Sequence, residues 1–270
     1  MDKAVFFHKE IEKIDMGKGV IRQVKMKRWV AVLMLGSVLL ASCSKEDTPV
    51  DDSDMGHAPS GVRLIDLGLP SGTKWANMDI GAAGENQPGL FFAFGEVEGS
   101  GFDVNDGVYY FWNAYKWGSG TETSDGITKY QMDDQQEGCW YDADGHFIGD
   151  GKQTLDPEDD AAVVLWGGKW RIPTEAEMRE LVEGCTYEMI TIDGMRGCLF
   201  TSKTNGATIF FPASGDRSQD EVKGYNQIGF YWTSTVDRER TKNAMILFFT
   251  DIPMVNAAFR FGGRPIRPVQ

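Results

Sequence analysis

Threonine at 174 and glutamate at 177 stand three residues apart at the end of the run Trp166-Gly167-Gly168-Lys169-Trp170-Arg171-Ile172-Pro173-Thr174. This spacing is a capping box, in which the threonine hydroxyl accepts from the Glu177 N–H while the glutamate carboxylate accepts from the Thr174 N–H. A helix must therefore start at Glu175, and the tryptophan and glycine run before it must be a tight apolar turn. Ala176, Met178, Leu181 and Val182 fall on one helical face, with Glu175, Glu177, Arg179 and Glu183 mostly elsewhere, and Gly184 reads as the C′ stop. Upstream, Asp156 is the expected N-cap and Pro157 the first residue of a second short helix running to Leu165, its first turn carrying Glu158, Asp159 and Asp160 where the helix dipole favours carboxylates. The same four acidic residues admit a calcium reading, but a hard cation needs several convergent oxygens, and capping is the simpler account.

Around these helices the chain reads as short strands. Val62-Arg63-Leu64-Ile65-Asp66-Leu67 alternates, Pro70-Ser71-Gly72 turns, and Lys74-Trp75-Ala76-Asn77-Met78 returns, which predicts an opening hairpin. Phe91-Phe92-Ala93-Phe94-Gly95 predicts a short buried strand. Gly197-Cys198-Leu199-Phe200-Thr201-Ser202 and Ala207-Thr208-Ile209-Phe210-Phe211-Pro212 flank Asn205-Gly206, a strong hairpin signal. Residues 229–235, 244–249 and 259–261, with Arg267-Pro268-Val269, complete the antiparallel set. The fold class expected is α+β, with two short helices packed beside mostly antiparallel, loop-rich β-sheet.

Residues 96–156 are different. They are long, rich in glycine and aspartate, weakly periodic, and carry Tyr109-Tyr110-Phe111-Trp112 along with Tyr115, Trp117, Trp140 and Tyr141. This aromatic density argues against disorder, and a long ordered loop is a natural place for binding. Sugar rings pack their C–H faces on aromatic side chains while polar groups satisfy the hydroxyls, so Trp112, Asn113, Tyr115, Trp117, Trp140 and Tyr141 are the candidate ligand-binding residues; the alternative is that the rings pack down onto the domain. Asp142-Ala143-Asp144-Gly145 resembles the start of a calcium loop, which makes Asp142, Asp144 and nearby Asp150 candidate ligands, although the later glutamate of such a loop is missing. No other cofactor is indicated.

Several ordered motifs carry a family resemblance: Asp66-Leu67-Gly68-Leu69-Pro70-Ser71-Gly72-Thr73-Lys74-Trp75-Ala76 with Ile80-Gly81-Ala82; Phe91-Phe92-Ala93-Phe94-Gly95-Glu96; Asp159-Asp160-Ala161-Ala162 leading into the run from Trp166 to Thr174; Tyr231-Trp232-Thr233-Ser234-Thr235; and Arg264-Pro265-Ile266-Arg267-Pro268-Val269. Residues 61–270 resemble a Fibrobacter succinogenes major paralogous domain. The run from Arg171 to Glu177 is also similar to sulfatase-modifying enzymes, and that likeness implies a C-type-lectin-like fold more than an activity. Their chemistry would need a reactive cysteine pair near the C-terminus, whereas the last cysteine here is Cys198.

The first 42 residues read as a leader. Met26-Lys27-Arg28 followed by twelve apolar or small residues, 29–40, is too short for a membrane span and right for a signal sequence. Leu40-Ala41-Ser42-Cys43 resembles a bacterial lipobox, whose cleavage leaves Cys43 as a lipidated N-terminus. Residues 1–25 are then expected to be a misassigned upstream start, residues 26–42 the signal peptide, and residues 43–60 the lipidated cysteine with a flexible tether. Ser44-Lys45-Glu46-Asp47 resembles the acidic signal that sends lipoproteins of Bacteroidota to the outer face of the outer membrane. The expected partner is thus the membrane, through lipid on Cys43, at about 0.8 kcal/mol per buried methylene.

Of 27 basic and 40 acidic residues, eight and four lie in residues 1–42, so residues 43–270 carry a net charge of −17, which disfavours nucleic acid as a partner. Beyond Cys43 the cysteines are Cys139, Cys185 and Cys198; Cys185 and Cys198 flank the turn signal Asp193-Gly194 and could pair, or all three could remain separate buried thiols. His146 is the only histidine in residues 61–270, and nothing near it resembles a nucleophile elbow or a zinc-ligand spacing. The expectation is a non-catalytic surface module that binds or adheres to extracellular glycan or protein. The alternatives are a glycan-active enzyme or degenerate sulfatase-modifier relative, and a structural component of a surface assembly.

Overall fold

The computed structural model describes residues 52–124, 126–133 and 140–270, so the expectations for the leader, Cys43 and Cys139 lie outside the described residues. The capping box forms as expected. Helix α3, Glu175–Gly184, starts with the Thr174 hydroxyl accepting from the Glu177 N–H at 3.3 Å and the Glu177 carboxylate accepting from the Thr174 N–H at 2.8 Å. Gly184 is the last helical residue rather than a left-handed stop. Its role is space: a Cβ there would lie 2.4 Å from the Leu69 side chain. Lys203 closes the end instead, its N–H donating to the Gly184 carbonyl and its ammonium to the Glu183 carbonyl.

The second helix is shifted and split. Pro157–Asp159 is a 3-10 turn whose Asp156 makes no side-chain cap, and the α-helix α2 covers Ala161–Trp166. Asp160 is the residue that caps it, accepting from Ala162 N at 2.9 Å and Val163 N at 3.1 Å. Three of the four carboxylates in the calcium reading of this cluster are engaged within the fold: Asp156 by Lys129 and Lys152, Asp159 by Lys116, Lys129 and the Tyr130 hydroxyl, and Asp160 by amides that include Ile172 N at 2.8 Å; Glu158 stands exposed, 3.8 Å from Lys129.

The opening hairpin pairs β1, Leu64–Asp66, with β2, Lys74–Ala76. Eight further strands among the described residues follow the same antiparallel logic. β3, Cys185–Ile192, leaves α3 without a loop and returns through Asp193-Gly194, both at positive φ (50° and 82°), into β4, Met195–Ser202, which pairs onward with β5, Thr208–Pro212. β6, Asp216–Ser218, pairs with β7, Glu221–Lys223. β8, Gly229–Val236, and β10, Met254–Phe259, flank β9, Asn243–Phe249. Phe91 and Phe92 contribute single bridges rather than the expected strand, and Val269 bridges both Trp75 and Arg171. The described chain is therefore an α+β arrangement with short helices and open antiparallel sheets.

Three buried clusters fill it. One joins Met178 and Leu181 of α3 to Phe200, Phe211, Tyr231 and Phe249. A second gathers Trp166, Trp170, Ile172, Phe94 and Trp232. Trp170 is buried against α2: its ring meets Trp166 edge-on at 5.1 Å, and its indole N–H donates to the Met55 carbonyl at 3.0 Å. Cys185 and Cys198 sit in the first cluster as free thiols, which decides against a disulfide between them. Their strand partners are Ser202 and Met189, not each other.

The expectation of a free tether up to residue 60 fails from Asp52 onward. The short helix α1, Asp52–Met55, is seated on the Trp-Gly-Gly turn, with the Asp54 carbonyl accepting from Lys169 N at 3.0 Å and from the Gln270 amide at 2.8 Å, and Asp54 pairing with the Lys169 ammonium. The contact is so close that a Cβ on Gly56 or Gly168 would lie 2.1–2.3 Å from backbone oxygen, and both residues hold positive φ. Glycines here let one backbone lie directly on another.

Candidate functional site

The third cluster belongs to the long loop. Phe91, Tyr110, Trp112, Tyr115, Trp140 and Phe261 are buried together, and this corrects half of the predicted ligand platform. Trp112, Tyr115 and Trp140 cannot offer a ring face to a ligand, because their faces are covered by one another and by β10: Trp112 meets Tyr115, Phe259 and Phe261 edge-on. The Tyr115 hydroxyl donates to the Phe94 carbonyl at 2.7 Å and accepts from Arg260. Trp117 is half-buried, its indole tied to the Gly95 carbonyl at 3.1 Å; Tyr141 is half-buried, its hydroxyl tied to Asp133. Asn113 is exposed.

The predicted calcium residues are also divided. Asp142 closes its own turn, accepting from Asp144 N and His146 N at 2.9 and 2.8 Å and from the His146 ring at 3.1 Å. Those bonds, the backbone one from His146 foremost, hold the Asp142 carboxyl below its ordinary value. Asp150 turns the other way, accepting from Tyr130 N and Gln131 N at 2.8 Å and bracing Tyr130 at a φ of 62°. What converges is Asp142, Asp144 and His146, all exposed. An imidazole nitrogen is foreign to an oxygen-selecting calcium site, so the expected aspartate triad is not assembled.

A ligand-sized opening does exist beside the buried rings. A cleft of about 230 Å³ is lined by Ala93, Glu96, Val108, Tyr109, Phe111, Tyr115 and Phe261. Tyr109 and Phe259 are 41% and 47% exposed, and the rings form a continuous row: Tyr109 to Phe111 at 6.3 Å, Phe111 to Phe261 at 5.2 Å, and Phe261 stacked on Phe259 at 5.5 Å. Only the ends of the row, Tyr109 and Phe259, are exposed; Phe111 is half-buried and Phe261 buried between them, so Tyr109, with the edge of Phe111, is the aromatic surface the cleft offers to a ligand.

The walls are held rigidly. Arg217, fully buried on β6, clamps the loop that carries Tyr109 by donating to the Gly101 and Val108 carbonyls and by a two-pronged pair with Asp106 at 2.7 and 2.8 Å. Those bonds hold the Asp106 carboxyl down at about 2. Arg260 pins the opposite side through the Lys129, Tyr130 and Thr241 carbonyls. Glu96 is the one charged side chain lining the cleft. One of its oxygens accepts from Lys116 N at 2.8 Å, and burial pushes its carboxyl up despite that bond.

Sequence reasoning had named the neighbours of these residues. Tyr109 and Phe111 lie in the aromatic run from which only Trp112 was chosen, and Phe259 and Phe261 had been counted as strand. Irregular backbone gives no periodicity to say which ring faces out. Comparison with protein-family models, with curated proteins and with solved structures finds no match to this chain.

Proposed function

We propose that this chain is a lipid-anchored bacterial surface protein whose domain binds extracellular glycan or protein without transforming it, and that the domain is a Fibrobacter succinogenes major paralogous domain of C-type-lectin-like fold. The observation that carries the binding reading is a preformed cleft with the exposed Tyr109 ring and half-buried Phe111 on its wall, backed by buried Phe261. Ring faces of this kind match the C–H faces of sugars or the apolar side chains of a protein, and walls fixed by buried guanidinium groups lower the ordering cost of binding. The anchor reading rests on the sequence alone: a basic segment, twelve apolar or small residues, and Leu40-Ala41-Ser42-Cys43.

The test is a paired set of binding and melting measurements on the full chain over a glycan and protein array. Tyr109→Ala is expected to weaken binding while changing stability by no more than about 0.5 kcal/mol, as exposed substitutions usually do. Trp112→Ala is expected to cost about 3–5 kcal/mol and to lower binding only as the folded fraction falls. Turnover of a bound glycan would transfer the reading to the enzyme alternative; unaltered binding by Tyr109→Ala would remove the cleft from it.

A further inference from the structure

Resting on the binding function proposed above, the chemistry of the cleft narrows what it takes. Its rings present electron-rich faces, which attract cations. The buried arginines already use two of them, Arg217 lying 5.4 Å from the Tyr110 ring and Arg260 5.5 Å from the Tyr115 ring. Tyr109, Phe111 and Phe261 line the opening, and the described cation–ring contacts engage none of them.

The single charged side chain facing the cleft is a carboxylate. Glu96 is anchored through one oxygen by the Lys116 amide. The Lys116 ammonium is turned to Asp159 at 3.1 Å and over the Trp117 ring at 4.3 Å. Glu96 also lines an adjoining hollow of about 260 Å³ shared with Val97, Glu98 and Lys116, which adds a second carboxylate along the same path.

We propose that the cleft recognises an amino sugar carrying a free ammonium group, its ring laid on Tyr109 against the edge of Phe111 and its ammonium directed to Glu96, with Glu98 beside the next unit of a cationic glycan. A neutral sugar would leave a half-buried carboxylate facing it with only the Lys116 amide and the charge of a Lys116 ammonium that is turned to Asp159, which is unfavourable in a site partly removed from water. An anionic glycan would meet repulsion from Glu96, Glu98 and the net charge of −17 on residues 43–270. The paired hollows favour an extended saccharide over an isolated small cation.

The experiment titrates the full chain, in detergent micelles, with a glucosamine trisaccharide, with its fully N-acetylated counterpart, with choline and with a lysine tripeptide, read by calorimetry. The expected result is saturable binding of the glucosamine trisaccharide at least about tenfold tighter than that of the N-acetylated one, weakening as salt is raised. Glu96→Gln keeps an oxygen for the Lys116 amide and so preserves the fold, and it should remove that tenfold preference. Equal affinity for the two trisaccharides, or an unchanged preference in Glu96→Gln, overturns the ammonium assignment while leaving a glycan-binding function standing. Tighter binding of choline or the peptide than of the glucosamine trisaccharide overturns the sugar. Loss of every ligand, neutral glycans included, removes the cleft and the function proposed for it together.

Discussion

Glu177 is the residue on which the organising turn most depends, and replacing it by glutamine gives a sharp test. Its two oxygens accept from five donors: Thr73 Oγ1 and Arg171 Nη2 at 2.5 Å, Arg171 Nη1 at 2.7 Å, and Thr174 N and Oγ1 at 2.8 and 2.9 Å. One carboxylate thus ties the cap of α3 to the arginine of the Trp-Gly-Gly run and to the turn of the first hairpin. Glu180, one turn along, holds the same hairpin turn through Ser71. Burial pushes the Glu177 carboxyl up, but the bonds from Arg171, Thr73 and the Thr174 N–H outweigh it and hold it down at about 2, against an ordinary value of 4.5.

That displacement is a stability term. A depressed carboxyl stabilises the fold fully above its unfolded value and ceases to do so as pH falls through its folded value. At 1.36 kcal/mol per pH unit, and allowing for the water around a partly exposed Arg171, Glu177 contributes about 2–3 kcal/mol at neutral pH. Glutamine keeps the shape and loses the charge, and turns an amide toward donors. Urea unfolding of the full chain followed by tryptophan fluorescence should therefore show Glu177→Gln about 2–3 kcal/mol less stable at pH 7, the gap holding to about pH 4.5 and closing as pH approaches 2. A gap under about 0.5 kcal/mol at pH 7, or one that does not narrow with acid, would refute the reasoning.

Other outcomes follow from the same contacts. Trp170→Ala should cost about 3–5 kcal/mol, because it empties a site between Trp166 and Met55 and leaves the Met55 carbonyl without its indole donor; thermal melting reads it. Cys43→Ser should move the protein from the membrane fraction to the soluble one if lipid on that cysteine is the anchor, and continued membrane association would sink the lipobox reading. The Cys185 and Cys198 thiols, pushed up to about 11 and about 12 by burial, should resist alkylation at pH 8 in the folded protein and react once denaturant is added.

How much of this could be read in the sequence depends on whether the signal was local. The capping box, the Asp193-Gly194 and Asn205-Gly206 turns and the opening hairpin are set by residues within a few positions of one another, and they form where expected. The cap of α2 was misplaced by four residues because Asp156 and Asp160 both fit the local pattern. The choice fell to a distant contact, Asp160 also accepting from Ile172 N. The tether was misread for the same reason: residues 52–58 have a polar, flexible composition, and they are seated by contacts more than a hundred residues away, the Trp-Gly-Gly turn and the Gln270 amide. The aromatic platform was placed in the right loop and on the wrong rings, since outward and inward rings there differ by tertiary packing and not by spacing.

The loop's order has a physical source that no motif announced. A long irregular segment leaves carbonyls without strand partners, and a buried carbonyl without a donor is costly. Arg217 and Arg260 answer that need in the loop, and Arg267 does the same outside it, each fully buried. Arg260 serves three carbonyls from residues 129, 130 and 241; Arg267 serves those of Ala76, Asn77 and Phe210 while paired to Asp79 at 2.7 Å. Only guanidinium offers five fixed donors from one side chain, and a lysine at any of these positions would leave carbonyls unmet. These three arginines are therefore interior scaffolding rather than surface charge, and two of them hold a carboxylate as partner, Asp106 for Arg217 and Asp79 for Arg267.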